Sequence, residues 1–288
     1  MATTSVQAPV PDRGVPIRGP SAVAGDFRRA LTLTVALAKN DFKLRFFGSV
    51  LGYVWQLMRP LLLFGVLYVM FTQIVPFASA PNFGVALLLG IVLFTFFSEA
   101  TGNAVGCVMV RENLVRKIHF PRLVIPLAVV MVACFNLALN LVVVVIFAAA
   151  SGLDPSWSWI WLVPLLLLLV VYSAGLAMLL SALYVRYRDI EPIWDVVLQV
   201  TFYASLILIP YEAVKEKSTT LASLLVANPL AAVVQEARHV MIDPSYESAA
   251  NAIGGTARLI VPLAIVIGTF ALGLWVFNRE APRIAEEL

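Results

Sequence analysis

Six stretches of almost unbroken apolar sequence, each about twenty residues long, decide what this chain can become. They run over 53–75, 83–105, 123–150, 160–184, 193–209 and 259–277, with only short polar segments between most of them. A helix rises 1.5 Å per residue, so about 20 apolar residues cover the roughly 30 Å of a bilayer's hydrocarbon, and the fifth run is barely long enough. A soluble domain can bury one core but not six such runs. Composition agrees: 61% of the 288 residues are hydrophobic and 13% are charged, about half the charge of a soluble domain. The fold class expected is an all-α polytopic membrane protein with six transmembrane helices.

Two further elements flank or interrupt the spans. Phe27, Leu31, Val35, Ala38, Phe42 and Phe46 recur at helical spacing, while Arg28, Arg29, Lys39 and Lys43 lie largely off that stripe. This pattern predicts a basic amphipathic helix lying on the membrane surface or docked on the rest of the protein. The apolar run 221–242 is interrupted by Asn228-Pro229, and Gln235, Glu236, Arg238 and His239 crowd its second half. Charges at the bilayer centre cost several kcal/mol. Two short helices hinged at Asn228-Pro229, a re-entrant hairpin between the fifth and sixth spans, fit better than a seventh crossing. Residues 1–24 hold Pro, Ala, Val and Gly without an apolar signal core and read as a disordered cytoplasmic tail. The chain therefore divides into that tail, an interface and gate segment at 25–52, and a transmembrane domain at 53–288.

Basic residues set the orientation. Arg13, Arg18, Arg28, Arg29, Lys39, Lys43 and Arg45 precede the first span. Arg111, Arg116, Lys117 and Arg122 follow the second, Arg186 and Arg188 follow the fourth, and Arg279 and Arg283 follow the sixth. The opposite loops 76–82 and 151–159 hold no Lys or Arg, which puts both termini in the cytoplasm. Trp157, Trp159 and Trp161 then fall at the outer interface, where an aromatic belt is expected rather than a sugar-stacking site. The net charge of +3 is spread over several segments, which argues against nucleic acid as a partner.

Catalytic signatures are missing. The sequence has no phosphate-binding Gly-rich loop, no HExxH and no nucleophile elbow. Cys107 and Cys134 form no metal or disulfide framework, and His119 and His239 are the only histidines. Glu99 and Asp195 are the acidic residues nearest to a membrane-embedded position, and both fall toward the cytoplasmic end. The chain is expected to be no enzyme, to bind no cofactor or metal, and to draw its energy from another subunit.

Three segments carry a family resemblance: LRFFGSVLGYVWQLMRPLL at 44–62, ENLVRKIHFPRLVIPLA at 112–128 and YVRYRDIEPIWDVVLQVTFYAS at 184–205. Asn228-Pro229-Leu230, followed by Arg238, adds a fourth. In this order and spacing the chain, from about residue 26 onward, resembles the permease subunits of ABC-2 type exporters for O-antigen, teichoic acid and related cell-wall glycans. It departs from them at Phe47, where a basic residue is common, and at Leu206, where a proline is common.

The resemblance implies a homodimer in the bacterial plasma membrane. Two copies of a cytoplasmic ABC ATPase, which hold ATP and Mg, would dock beneath it, and a lipid-linked polysaccharide would be the substrate. Contact with the ATPase would fall to Arg111, Glu112, Asn113, Leu114, Arg116, Lys117 and Phe120, a coupling helix, with Arg188 and Asp189. Arg45, Gly48, Ser49, Gly52, Trp55 and Arg59 would form the gate for the lipid head group. Tyr53, Phe64, Tyr68, Phe71 and Tyr203, with Trp194, would offer sugar rings a path of aromatic faces. Asn228, Pro229 and Arg238 would line the exit, Arg238 available to a phosphate group. The alternative is an ABC-2 type exporter of a drug or lipid; a membrane-embedded glycan transferase or a secondary carrier would need site residues that this sequence does not hold.

Overall fold

The computed structural model describes residues 27–46, 50–73, 82–111 and 121–280. The predicted tail at 1–24 lies outside them. Regular structure among the described residues is helical throughout. In chain order the helices are α1 (Phe27–Phe46), α2 (Val50–Gln73), α3 (Phe83–Val105), the single turn α4 (Cys107–Val110), α5 (Val124–Ala150), α6 (Leu162–Arg186) and α7 (Ile190–Ala204). The short helices α8 (Tyr211–Lys217), α9 (Thr219–Val226), α10 (Pro229–Met241) and α11 (Ala249–Ala252) follow, and α12 (Ile260–Glu280) closes the series.

Five of these helical stretches are long and apolar enough to cross a membrane. A sixth crossing is obtained if α9 and α10 are counted together, although they meet at an angle of 99°. The bend falls where the sequence predicts it. Asn228 caps α10 by accepting the Leu230 amide on its side chain at 3.0 Å, and Pro229 occupies the first helical position, where its missing N–H costs nothing.

The fifth predicted span, 193–209, becomes α7, a helix of 15 residues that ends at Ala204. Leu206 then takes a left-handed backbone at φ 56°, and irregular chain runs to Pro210. At 1.5 Å per residue α7 is about 22 Å long, short of a bilayer's hydrocarbon. Apolarity continues through Leu206–Ile209, which is why hydropathy alone extends the span.

The core centres on α3, buried along most of its length and packed between α2, α5, α6 and α7. Its apolar residues run around the whole helix, as burial on all sides requires. The tightest helix pair is α6 with α12. A Cβ placed on Gly273 would stand 2.1 Å from the Gly175 carbonyl oxygen, and one on Gly175 would stand 2.7 Å from Phe270 Cα. Only glycine permits this approach, the small-residue device that membrane helices use to bring backbones together.

Helix α1 docks on α5. Ala38 is buried against Ala128 and Val132, and the Phe42 ring meets Phe135 edge-on at 5.5 Å. Thr34 is buried and turns its hydroxyl back to the Ala30 carbonyl. The docked face therefore runs through Thr34 and Ala38. Leu31, placed on the docking stripe from the sequence, is exposed together with Leu33 and Leu44. Arg28, Arg29, Lys39 and Lys43 are exposed as expected.

Candidate translocation and coupling surfaces

Polar groups inside an apolar bundle have to find partners, and α2, α3 and α5 bring three together. Glu99 of α3 accepts from the side-chain amide of Gln56 on α2 at 2.5 Å and from that of Asn136 on α5 at 2.8 Å. Asn140 donates to the Asn136 carbonyl one turn further along. These side-chain hydrogen bonds tie three helices at one level. Close by, Arg111 at the end of α4 forms an ion pair with Asp41 of α1. A cavity of about 340 Å³ lies between the two groups and is lined by Asp41, Leu44, Glu99, Asn103 and Arg111.

The face of α2 turned from the body carries Val54, Trp55 (70% exposed), Met58, Arg59, Leu62, Val66 and Val69. The opposite row, Pro60, Phe64 and Phe71, is buried. The Phe64 ring meets Phe147 edge-on at 5.3 Å and Phe71 meets Phe83 at 6.0 Å.

Helix α7 is exposed nearly all round; Leu198 is its one buried residue. Trp194 turns inward, donating its indole N–H to the Thr101 hydroxyl at 3.1 Å beside the Phe97 ring. On the outside Glu191, Asp195, Gln199 and Tyr203 follow one another at intervals of four and are all exposed. Four-residue spacing places them on one face of the helix. Carboxylates, an amide and a phenol in register on an exposed face require water or another protein surface, because lipid satisfies none of them.

Residues 32–242 match the family model of the ABC-2 type transporter. The chain belongs to the ABC-2 type transporter family. It is 28% identical over 257 residues to an O-antigen export system permease protein of Klebsiella pneumoniae, covering 89% of this chain and 95% of that protein. A permease of the same description from Myxococcus xanthus is 27% identical over 202 residues, covering 70% and 77%. The polysialic acid transport protein of Escherichia coli is 23% identical over 252 residues, covering 85% and 93%.

The residues expected to act in this ABC-2 transporter sort as follows. Glu112, Asn113, Leu114, Arg116, Lys117 and Phe120 of the coupling segment, and Gly48 and Ser49 of the gate, lie outside the described residues, as do the side chains of Arg45 and Tyr53. Arg111 is engaged with Asp41. Arg188 and Asp189 are exposed on the turn between α6 and α7. That turn and α4 share one end of the bundle: Gly106 sits beside the Tyr184 ring, whose hydroxyl donates to Glu191 at 2.9 Å.

Gly52, Trp55 and Arg59 follow one another on α2, with Trp55 and Arg59 exposed. Tyr68 is partly exposed and Tyr203 fully so. Phe64 and Phe71, expected along the sugar path, are core residues instead, because they occupy the row of α2 that packs on α3 and α5.

Arg238 also departs from its expected role. It is 3% exposed and donates to the Leu206 carbonyl at 2.7 Å and to the Ile207 carbonyl at 3.0 Å. Those are backbone acceptors that the early end of α7 leaves without partners. The guanidinium secures the irregular turn after α7 and is not free for a phosphate. The partners of Glu99 were missed; the signal was there in Gln56, Asn136 and Asn140, amides within apolar runs that have to pair.

Proposed function

We propose that this chain is the membrane-spanning subunit of an ABC exporter that moves a lipid-linked polysaccharide from the inner to the outer leaflet of the bacterial plasma membrane. Two copies pair, and a separate cytoplasmic ATPase supplies the energy, with both termini of each copy on its side. The observation that carries the reading is the polar, aromatic face of α7. Glu191, Asp195, Gln199 and Tyr203 offer hydrogen bonds and one flat ring to a polyhydroxylated chain, and are poorly matched to a greasy drug. Relatedness over nearly the whole length of permeases described as exporting O-antigen supports the choice of cargo.

The end of the bundle that carries Arg111, Arg186 and Arg188 faces the cytoplasm in this reading, as the positive-inside rule requires. The ATPase presses on the segment that begins at Arg111 and on the turn at Arg188-Asp189. The lipid head group enters beside Trp55 and Arg59, where an exposed indole and a guanidinium stand one turn apart at the start of α2.

Depleting the protein in its own bacterium tests the proposal. Accumulation of lipid-linked glycan on the cytoplasmic leaflet, with its loss from the surface, is the expected result. Normal surface glycan on depletion would remove the polysaccharide and leave a drug or lipid as cargo.

A further inference from the structure

A cavity of about 720 Å³ belongs to none of the surfaces above. It opens between the chain at 153–161 and the end of α10, at the opposite end of α6 from Arg186. Its volume falls within the range of small-molecule sites, roughly 300–1,000 Å³. Trp159 and Trp161 line it, and so do Asp154, Glu236, His239 and Asp243. No Lys or Arg does.

The walls are built rather than draped. The Ser158 hydroxyl donates to the Val240 carbonyl at 2.8 Å and ties the tryptophan turn to α10. His239 Nδ1 stands 2.6 Å from the Tyr246 carbonyl oxygen. A carbonyl only accepts, so Nδ1 carries the proton, and Nε2 is the ring nitrogen left for another polar partner. One oxygen of Glu236 takes the Ala249 amide at 2.7 Å, and one oxygen of Asp243 takes the Ser245 amide at 2.7 Å. The second bond holds the Asp243 carboxyl below the usual carboxylate range, so it is an anion at neutral pH.

An aromatic belt accounts for the exposed Trp157, whereas the half-buried Trp159 and the exposed Trp161 border a cavity whose lining also holds carboxylates and an imidazole. Flat apolar rings meet the C–H faces of a sugar, and fixed acceptors meet its hydroxyls. Three carboxylates without a facing cation repel an anionic ligand.

We propose that this cavity is a binding site for a neutral saccharide, held between Trp159 and Trp161 with its hydroxyls donated to Asp154, Glu236, His239 and Asp243. The inference rests on the glycan-export reading for the source of the sugar: a neutral stretch of the polymer docks here after it leaves the membrane. Uronic acids, sialic acids and phosphorylated sugars are excluded.

The test uses the full chain in lipid nanodiscs and saturation-transfer NMR. The probes are three neutral tetrasaccharides (maltotetraose, cellotetraose and a β-linked galactotetraose), with trigalacturonate as the anionic counterpart. At least one neutral tetrasaccharide should give transfer signals that trigalacturonate does not. Those signals should fall at least fivefold in Trp161→Ala and in Asp154→Asn, both exposed positions where the fold should survive. Absence of transfer from all three, equal transfer from trigalacturonate, or signals unchanged in both variants would overturn the site. If no probe binds while depletion still strands glycan inside the cell, the site falls and the exporter stands.

Discussion

Arg238 illustrates how a residue's type can be legible while its task is not. An Arg ten residues after Asn228 is a family mark in the sequence, and a phosphate partner is the natural expectation for a guanidinium near an exit. The structure spends it on two carbonyls of the irregular turn after α7. That pairing depends on α7 ending at Ala204, which no local signal announces, since Leu206–Ile209 is as apolar as the helix before it. Arg238→Met should leave both carbonyls buried and unpaired, at about 1–3 kcal/mol each. The expected outcome is a lower thermal unfolding midpoint for the detergent-solubilised protein, with Arg238→Lys restoring part of it through a single donor. A head-group role would instead leave the midpoint unchanged and impair export alone.

Among the elements, those set by local chemistry were readable and those set by packing were not. The hinge at Asn228-Pro229 follows from a capping side chain and a residue that cannot donate, and it appears where expected. Which row of α2 faces inward cannot be read from its apolar stretch 60–71, and Phe64 and Phe71, expected on the sugar path, lie in the core. The crossing of α6 and α12 is likewise a matter of two glycines meeting across about a hundred residues of chain. Gly273→Ala should separate these helices and cost about 1–3 kcal/mol, seen as a fall in the unfolding midpoint. Gly268→Ala on the same helix should not, because nothing stands within 4 Å of its missing Cβ. A second element-scale expectation concerns α1. The Asp41–Arg111 pair is only about one-fifth exposed at each side chain, so removing one partner strands a poorly hydrated charge and should cost more than the roughly 1 kcal/mol of a surface pair. If it links α1 to the base of α3 during transport, Asp41→Arg should lower both surface glycan and the midpoint, and adding Arg111→Asp should recover both.

For the whole molecule, the number of long apolar runs and the placement of basic residues already fix a polytopic membrane protein. What stays hidden is which exposed surface meets lipid and which meets water. The exposed residues of α12, among them Ile260, Leu263 and Ile267, are apolar and suit acyl chains. Those of α7 include Glu191, Asp195 and Gln199 and do not. The contrast predicts a labelling pattern in intact membranes. A cysteine at Gln199 should react with a water-soluble maleimide, and one at Ile267 should not, measured against the buried natural thiol of Cys107 and the partly buried one of Cys134. Equal silence at both positions would mean that α7 is sealed against protein, and the pathway would have to be sought elsewhere.

The ion pair between α1 and the start of the coupling segment carries an obligation that runs both ways. Asp41 sits on the helix that precedes the proposed head-group entrance, and Arg111 opens the stretch proposed to meet an ATPase. Any load on one shifts the free energy of the other, and linkage demands that the two influences be equal. If an arriving head group makes the ATPase bind tighter by some factor, a bound ATPase must make the entrance hold its guest tighter by that same factor. An empty permease would then be a poor landing place for its own motor.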